Sequence, residues 1–99
     1  MAEKTRVRNK PIQKRLLDEA GAVSLLYLID EKGEITGNDV RELRGSYTRW
    51  MDLCRRFAKF GLITIEFRQV PFRRYTIKIT AKGRETADLY REIEAYINP

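Results

Sequence analysis

Ninety-nine residues leave room for one domain, which would bury about two thirds of its unfolded surface. An apolar content of 42% with ten aromatics supports a core, while 34% charged residues and a net charge of +6 favour a chain that stays in water. One cysteine and no histidine exclude an intrachain disulfide, remove the commonest general base and leave any metal site to carboxylates alone, so neither an enzyme nor a metal or other cofactor is expected.

No apolar run approaches the roughly 20 residues that span a bilayer, and residues 1–10 lack the apolar segment of a signal peptide. The expectation is therefore a cytoplasmic protein without a membrane partner. The basic charge is clustered: segments 1–15, 46–60 and 61–79 carry +5, +3 and +3, whereas 16–45 and 80–99 carry −4 and −1. A polyanion surface selects such clustering, because each neutralised phosphate releases condensed counterions.

Residues 1–10 (Met-Ala-Glu-Lys-Thr-Arg-Val-Arg-Asn-Lys) have little to bury and read as a basic flexible arm bearing Arg6, Arg8 and Lys10. Pro11 suits a first helical position. From Ile12 to Lys32 the apolar spacing is helical, with Gly21 either dividing two pieces or allowing close packing in one. The spacing favours a helix over 22–32 after a shorter helical piece, with Val23, Leu25, Leu26, Leu28 and Ile29 as the most buried segment. Gly33 ends it, Ile35 fits a short strand, and Thr36 with Asp39 forms a capping box opening a short helix over 37–44, with Val40 and Leu43 facing inward.

Gly45 and Gly61 frame the next helix, and Ser46 is suited to cap it. Trp50, Leu53, Cys54 and Phe57 fall at i, i+3, i+4 and i+7 on its buried face. Thr48, Asp52, Arg55 and Lys59 share the opposite face, with Arg49, Arg56 and Met51 on the flanks. Cys54 reads as a small buried hydrophobe. Two helices joined by Arg44-Gly45-Ser46 form a helix-turn-helix pattern. Leu62 folds back on Phe57 after the Gly61 cap. Ile63, Ile65 and Phe67, then Tyr75, Ile77 and Ile79, alternate with polar residues as two strands. Between them, Gln69-Val70-Pro71-Phe72-Arg73 is a loop whose tip carries Arg68, Arg73 and Arg74. Thr80 caps a last helix over 81–97. Its apolar residues cover a face wider than a lone helix needs, so Leu89, Tyr90, Ile93, Tyr96 and Ile97 are expected to pair with a second copy, unless residues 12–20 cover them.

The order helix, helix, helix, basic hairpin, helix resembles the winged helix-turn-helix domain. The resemblance is carried by Phe57-Ala58-Lys59-Phe60-Gly61-Leu62-Ile63, similar to the end of that family's recognition helix, and by Tyr75-Thr76-Ile77-Lys78-Ile79-Thr80-Ala81-Lys82-Gly83-Arg84-Glu85, similar to its exit from the wing. It is closest to small prokaryotic transcription regulators of the MarR, PadR and ArsR kinds. It implies an α+β, mostly α fold, with residues 11–99 as one winged helix domain including a C-terminal dimerisation helix 81–97. It further implies a homodimer that regulates transcription by binding specific double-stranded DNA, with recognition helix 46–60 in the major groove and wing 68–74 on the backbone or minor groove.

Residue roles follow from that docking. Ser46, Tyr47 and Thr48 suit phosphate oxygens; Arg49, Arg55 and Arg56 suit guanine or phosphate; Arg68, Arg73 and Arg74 serve the wing and Arg6, Arg8 and Lys10 the arm. Lys59 adds charge to the outer row. Asp52 either accepts from a cytosine amino group or pairs with a neighbouring arginine, the second being favoured. Trp50 and Tyr75 are favoured as core packing over base stacking. The metal ligands of ArsR-type sensors and the longer helical frame of phenolic-ligand-binding MarR-type regulators are missing, so no small-molecule effector is expected. The high Lys, Arg and Glu content hints at a thermophile. Two other uses of the same charges stay open: a nucleoid-type architectural DNA-binding protein and a winged-helix protein-interaction module.

Overall fold

The computed structural model describes residues 15–99. The expected arm with Arg6, Arg8 and Lys10, and the helical start at Pro11, lie outside them. A three-residue 3-10 turn, Leu16–Asp18, leads into α1 (Ala22–Lys32), β1 (Glu34–Thr36), α2 (Gly37–Arg41), α3 (Tyr47–Lys59), β2 (Ile63–Arg68), β3 (Arg74–Ile79) and α4 (Ala81–Ile97). The short piece before α1 is thus tighter than an α-helix, and Gly21 divides it from α1 in a left-handed conformation (φ 80°).

Local chemistry sets the boundaries. The Thr36 hydroxyl accepts from the Asp39 N–H at 3.3 Å, and the Asp39 carboxylate accepts from the Thr36 N–H at 2.8 Å, so the capping box is complete. Its helix is shorter than the expected 37–44, because the Leu43 N–H turns in to the Val40 carbonyl at 3.1 Å and tightens the chain into the next connection. Ser46 caps α3 by accepting from the Arg49 N–H at 3.4 Å. At the other end the Leu62 N–H donates to the Phe57 carbonyl at 3.0 Å, the six-to-one bond of a Schellman cap closed by Gly61. Thr80 links two elements: its hydroxyl accepts from the Gly83 N–H at 3.0 Å and donates to the Gly61 carbonyl at 2.6 Å.

The three strands form an antiparallel sheet in the order β1-β3-β2. Ile77 lies at its centre, opposite Ile35 on one side and Ile65 on the other. Beneath the sheet the core joins Leu25, Leu26 and Ile29 of α1, Val40 of α2, Met51, Leu53, Cys54 and Phe57 of α3, Leu62 and Ile63, and Ala87 of α4. Several positions differ from expectation. Met51 is buried rather than flanking, because α3 lies between α2 and β2 and its buried arc is wider than one stripe. Val23 and Leu28 are only half-buried, whereas Ala22 and Asp30 are buried, since α1 turns its inner face toward α4 as well as the sheet. Phe67 is half exposed because the hairpin extends past the helices.

Buried Asp30 is the feature that the sequence pattern did not single out. Its carboxylate meets Arg91 at 2.8 Å and Arg84 at 3.4 Å, tying α1 to α4. Arg91 also reaches Asp88 at 2.9 Å and lies over the Tyr27 ring at 4.7 Å. Its guanidinium is held in the charged form more firmly than usual, first by the hydrogen bond to Asp30. The Tyr27 hydroxyl donates to Glu94 at 2.5 Å and its ring meets Tyr90 edge-on at 6.5 Å.

At Gly83 the backbone of α4 lies close against the chain around Leu62. A Cβ there would lie 1.9 Å from the Leu62 carbonyl oxygen and 2.8 Å from Ile79 Cδ1. Gly→Ala inside a helix ordinarily gains up to ~1 kcal/mol. Here the obstacle is backbone held by the Thr80 N–H, so the sign reverses. Gly83→Ala is expected to lose about 2–3 kcal/mol, read as a lower urea midpoint with unchanged slope; a midpoint at or above that of the parent would refute the close approach.

Candidate nucleic-acid interface

With one face of α3 committed to the core, Thr48, Asp52, Arg55 and Lys59 stand exposed on the other, as their spacing requires. Asp52 accepts from Arg55 at 3.0 Å, the pairing favoured from the sequence. Both side chains are more than half exposed (65% and 56%), so the pair contributes at most about 1 kcal/mol and is exchangeable.

The flanking arginines are more firmly placed. Arg49 donates to the Ala20 carbonyl at 2.7 Å and stacks over Trp50 at 4.8 Å. Arg56 meets Glu19 at 3.4 Å. Trp50 is half-buried rather than fully inside: its indole N–H donates to the Arg44 carbonyl at 2.6 Å, and its ring lies where a Cβ on Gly21 would come within 2.5 Å. The residue therefore clamps the turn before α3 onto the turn before α1. Tyr75 is likewise half-buried and packs on the core.

Two clefts flank the start of α3. The smaller, about 310 Å³, lies between the Glu19 turn and Ser46, Thr48, Arg49, Asp52 and Arg56. The larger, about 600 Å³, runs between α2, Tyr47 and the hairpin, where Arg41, Arg73 and Arg74 line it with Phe67, Phe72 and Tyr75. Among the described residues no carboxylate lines this second cleft. Arg41 covers the Tyr47 ring at 4.7 Å and donates to Asn38 at 3.3 Å. Arg41 and Asn38 belong to no motif in the sequence, and their signal there is only the i, i+3 spacing on α2 that lets them pair.

The expected residues thus fall into groups. Ser46, Thr48 and Asp52 border the smaller cleft, Arg55 and Lys59 continue the exposed row of α3, and half-buried Tyr47 faces the larger cleft, which Arg73 and Arg74 line from the hairpin end with Arg68 opposite Arg74. Arg49 and Arg56 turn toward residues 19 and 20. Leu89, Ile93, Tyr96 and Ile97 form an exposed apolar stripe on α4, away from the face that carries Gly83, Ala87 and Arg91. Tyr90 is half-buried against Tyr27 and borders that stripe. The piece at Leu16–Asp18 packs on α1. Among the described residues no helix is long and apolar enough to cross a membrane.

Cys54 lies on the core face of α3, buried, and desolvation pushes its thiol up to about 11, outweighing a lowering by Arg55. The folded state thus holds this proton more tightly than the unfolded chain, whose thiol titrates near 9. That contribution to stability is whole below the unfolded value and is lost as pH rises toward the folded one. At pH 8 an aromatic disulfide reagent should therefore titrate the thiol completely in denaturant and negligibly in the native protein; rapid native reaction would contradict the burial.

No family model matches the chain, and neither does any curated protein. Solved structures do. The chain is similar to a transcriptional regulator homologue from Pyrococcus horikoshii OT3, with a TM-score of 0.76 at 15% identity over 99% of this chain and 96% of that one. It is similar to AF1382 from Archaeoglobus fulgidus, with a TM-score of 0.69 at 15% identity over 85% and 94% of the two chains. Against disulfide-formed AbfR the TM-score is 0.68 at 23% identity, over 79% of this chain and 53% of that one. Three helices, a hairpin wing and a closing helix in this order and packing make the fold a winged helix-turn-helix of the mostly helical α+β class.

Proposed function

We propose that this chain is a sequence-specific double-stranded DNA-binding transcription regulator, with α3 and its cap (46–60) in the major groove and the wing (68–74) on the backbone or minor groove. The observation that supports the reading is a basic cleft at the start of α3: Arg41 of α2 and Tyr47 of α3 line one side and Arg73 and Arg74 of the hairpin the other, with no carboxylate among the described residues that line it, while the exposed row of α3 that carries Arg55 and Lys59 follows on from Tyr47. A helix and a flanking hairpin so arranged match the reach from a major groove to the adjacent backbone. The regulator homologue from Pyrococcus horikoshii adds support through its fold.

In this reading Arg55 is the principal base-reading fork, released from Asp52 when a guanine edge or a phosphate replaces the carboxylate. Ser46, Tyr47 and Thr48 take phosphate oxygens beside the start of α3. Arg49 and Arg56, directed toward residues 19 and 20, and Lys59 at the far end, contact backbone at the margins. Arg6, Arg8 and Lys10 follow the phosphates or enter a minor groove. The apolar stripe Leu89, Ile93, Tyr96 and Ile97, with Tyr90 at its border, pairs with a second copy to give a homodimer reading two half-sites about one helical turn apart. The protein acts on cytoplasmic, nucleoid-associated DNA without an enzymatic step or a small-molecule effector.

Selection of bound duplexes from a random library tests this directly. A defined, two-fold-related site should emerge, preferred at least ~10³-fold over random duplex at physiological salt, and Arg55→Ala should cost about 1–3 kcal/mol on that site alone. Steeply salt-dependent binding with no preferred sequence would make the protein architectural instead. Failure of excess DNA to retain it at low salt would leave a protein-interaction module.

A further inference from the structure

The hairpin tip has a surface that the charge argument alone does not explain. Val70 and Phe72 are 80% and 67% exposed, with Pro71 between them also exposed. Large apolar side chains gathered at a solvent-facing tip lose favourable burial unless something covers them. The charges around them are of one sign. Arg68, Arg73 and Arg74 are all exposed, and no carboxylate occurs anywhere from residue 67 to residue 79.

Arg68 and Arg74 are direct cross-strand partners at the last rung of the hairpin. Like charges placed opposite each other destabilise a strand pair, so this rung suits an anion lying across it. One rung back, Phe67 and Tyr75 are also partners, with ring centroids 4.8 Å apart at 45°, which stiffens the base of the tip.

An apolar point on a stiff base, ringed by guanidinium groups, is complementary to a surface with anions outside and an apolar stack within. The duplex minor groove has that arrangement: phosphates on its rims and base faces between its steps. We infer that Phe72, with Val70 beside it, is a wedge that enters the minor groove and partly unstacks one base step, bending the duplex, while Arg68, Arg73 and Arg74 hold the flanking phosphates. Pyrimidine–purine steps yield most easily, so the wedge makes the wing position selective for a TA or CA step without hydrogen bonds to the bases. This rests on the DNA-binding reading above and adds a distortion that phosphate contacts alone do not produce.

The test uses the full chain and two duplexes of about 30 base pairs, dye-labelled at both ends, one with a central TA step and one with GG in its place. The parent protein should raise energy transfer between the ends, reporting a bend on the order of 20–90°, and should favour the TA duplex several-fold. Phe72→Ala, at an exposed position and checked for a native circular dichroism spectrum, should keep the salt slope of binding while losing most of the energy transfer and the TA preference. Arg73→Ala should instead lower affinity for both duplexes and reduce the salt slope by about one, with the bound duplex still bent. Binding without any rise in energy transfer, or an equal rise with Phe72→Ala, overturns the wedge and leaves the DNA reading intact. No binding of either duplex at low salt overturns the DNA reading itself. Phe72-dependent partition onto phosphatidylserine vesicles, with duplexes left straight, would assign the tip to an anionic membrane surface and overturn the proposal.

Discussion

The burial of one face of α3 is the constraint from which the remaining surface follows. Met51, Leu53, Cys54 and Phe57 are all at most a few per cent exposed, packed between α1, α2 and the sheet. A helix anchored over about two turns in this way has no freedom to rotate about its axis. Its opposite row must face solvent, and that row carries Thr48, Asp52, Arg55 and Lys59. Trp50 fixes the same helix at its entry through the Arg44 carbonyl and the face of Gly21. The outer row is thus placed by the core and by the turns, not by its own interactions. This is the rigid support that a recognition surface requires.

Electrostatics then divides the carboxylates into two kinds. Asp30 is buried and held by Arg91 and Arg84, and removal of Arg91 would leave the buried carboxylate only the longer contact to Arg84. Its work is to join α1 to α4. Asp52 meets Arg55 on exposed surface, where screening makes the pair weak and the arginine can exchange one anion for another. The hairpin shows the opposite pattern, since Arg68 and Arg74 face each other with no acid between them. Charge is balanced where the fold needs it and left unbalanced where a polyanion would supply the balance.

Much of this was legible in the sequence because it depends on local periodicity and capping. The α3 stripe, the Thr36–Asp39 box, the Ser46 and Thr80 caps, the Gly61 ending and the alternating strands all express interactions within about five residues. What the sequence left unread is tertiary. The burial of Met51 depends on α2 and β2 closing on α3 from two sides, which a single-helix projection cannot show. Asp30 reads as an ordinary charge near a helix end until Arg84 and Arg91, more than fifty residues on, come to meet it. The Arg41–Tyr47 stack and the cleft beside the wing depend on how the hairpin sits against α2. The opposition of Arg68 to Arg74 depends on register, which a five-residue loop does not reveal from composition.

The central claim is that the outer row of α3 and the wing form one surface for duplex DNA. Backbone amide chemical-shift mapping of the isotopically labelled protein, titrated with a duplex it binds, tests it most directly. The account predicts the largest perturbations at Ser46 to Lys59 along the exposed row and at Arg68 to Arg74, with Leu89, Ile93 and Tyr96 unmoved. Perturbations centred on the apolar stripe of α4, with α3 and the wing silent, would contradict it.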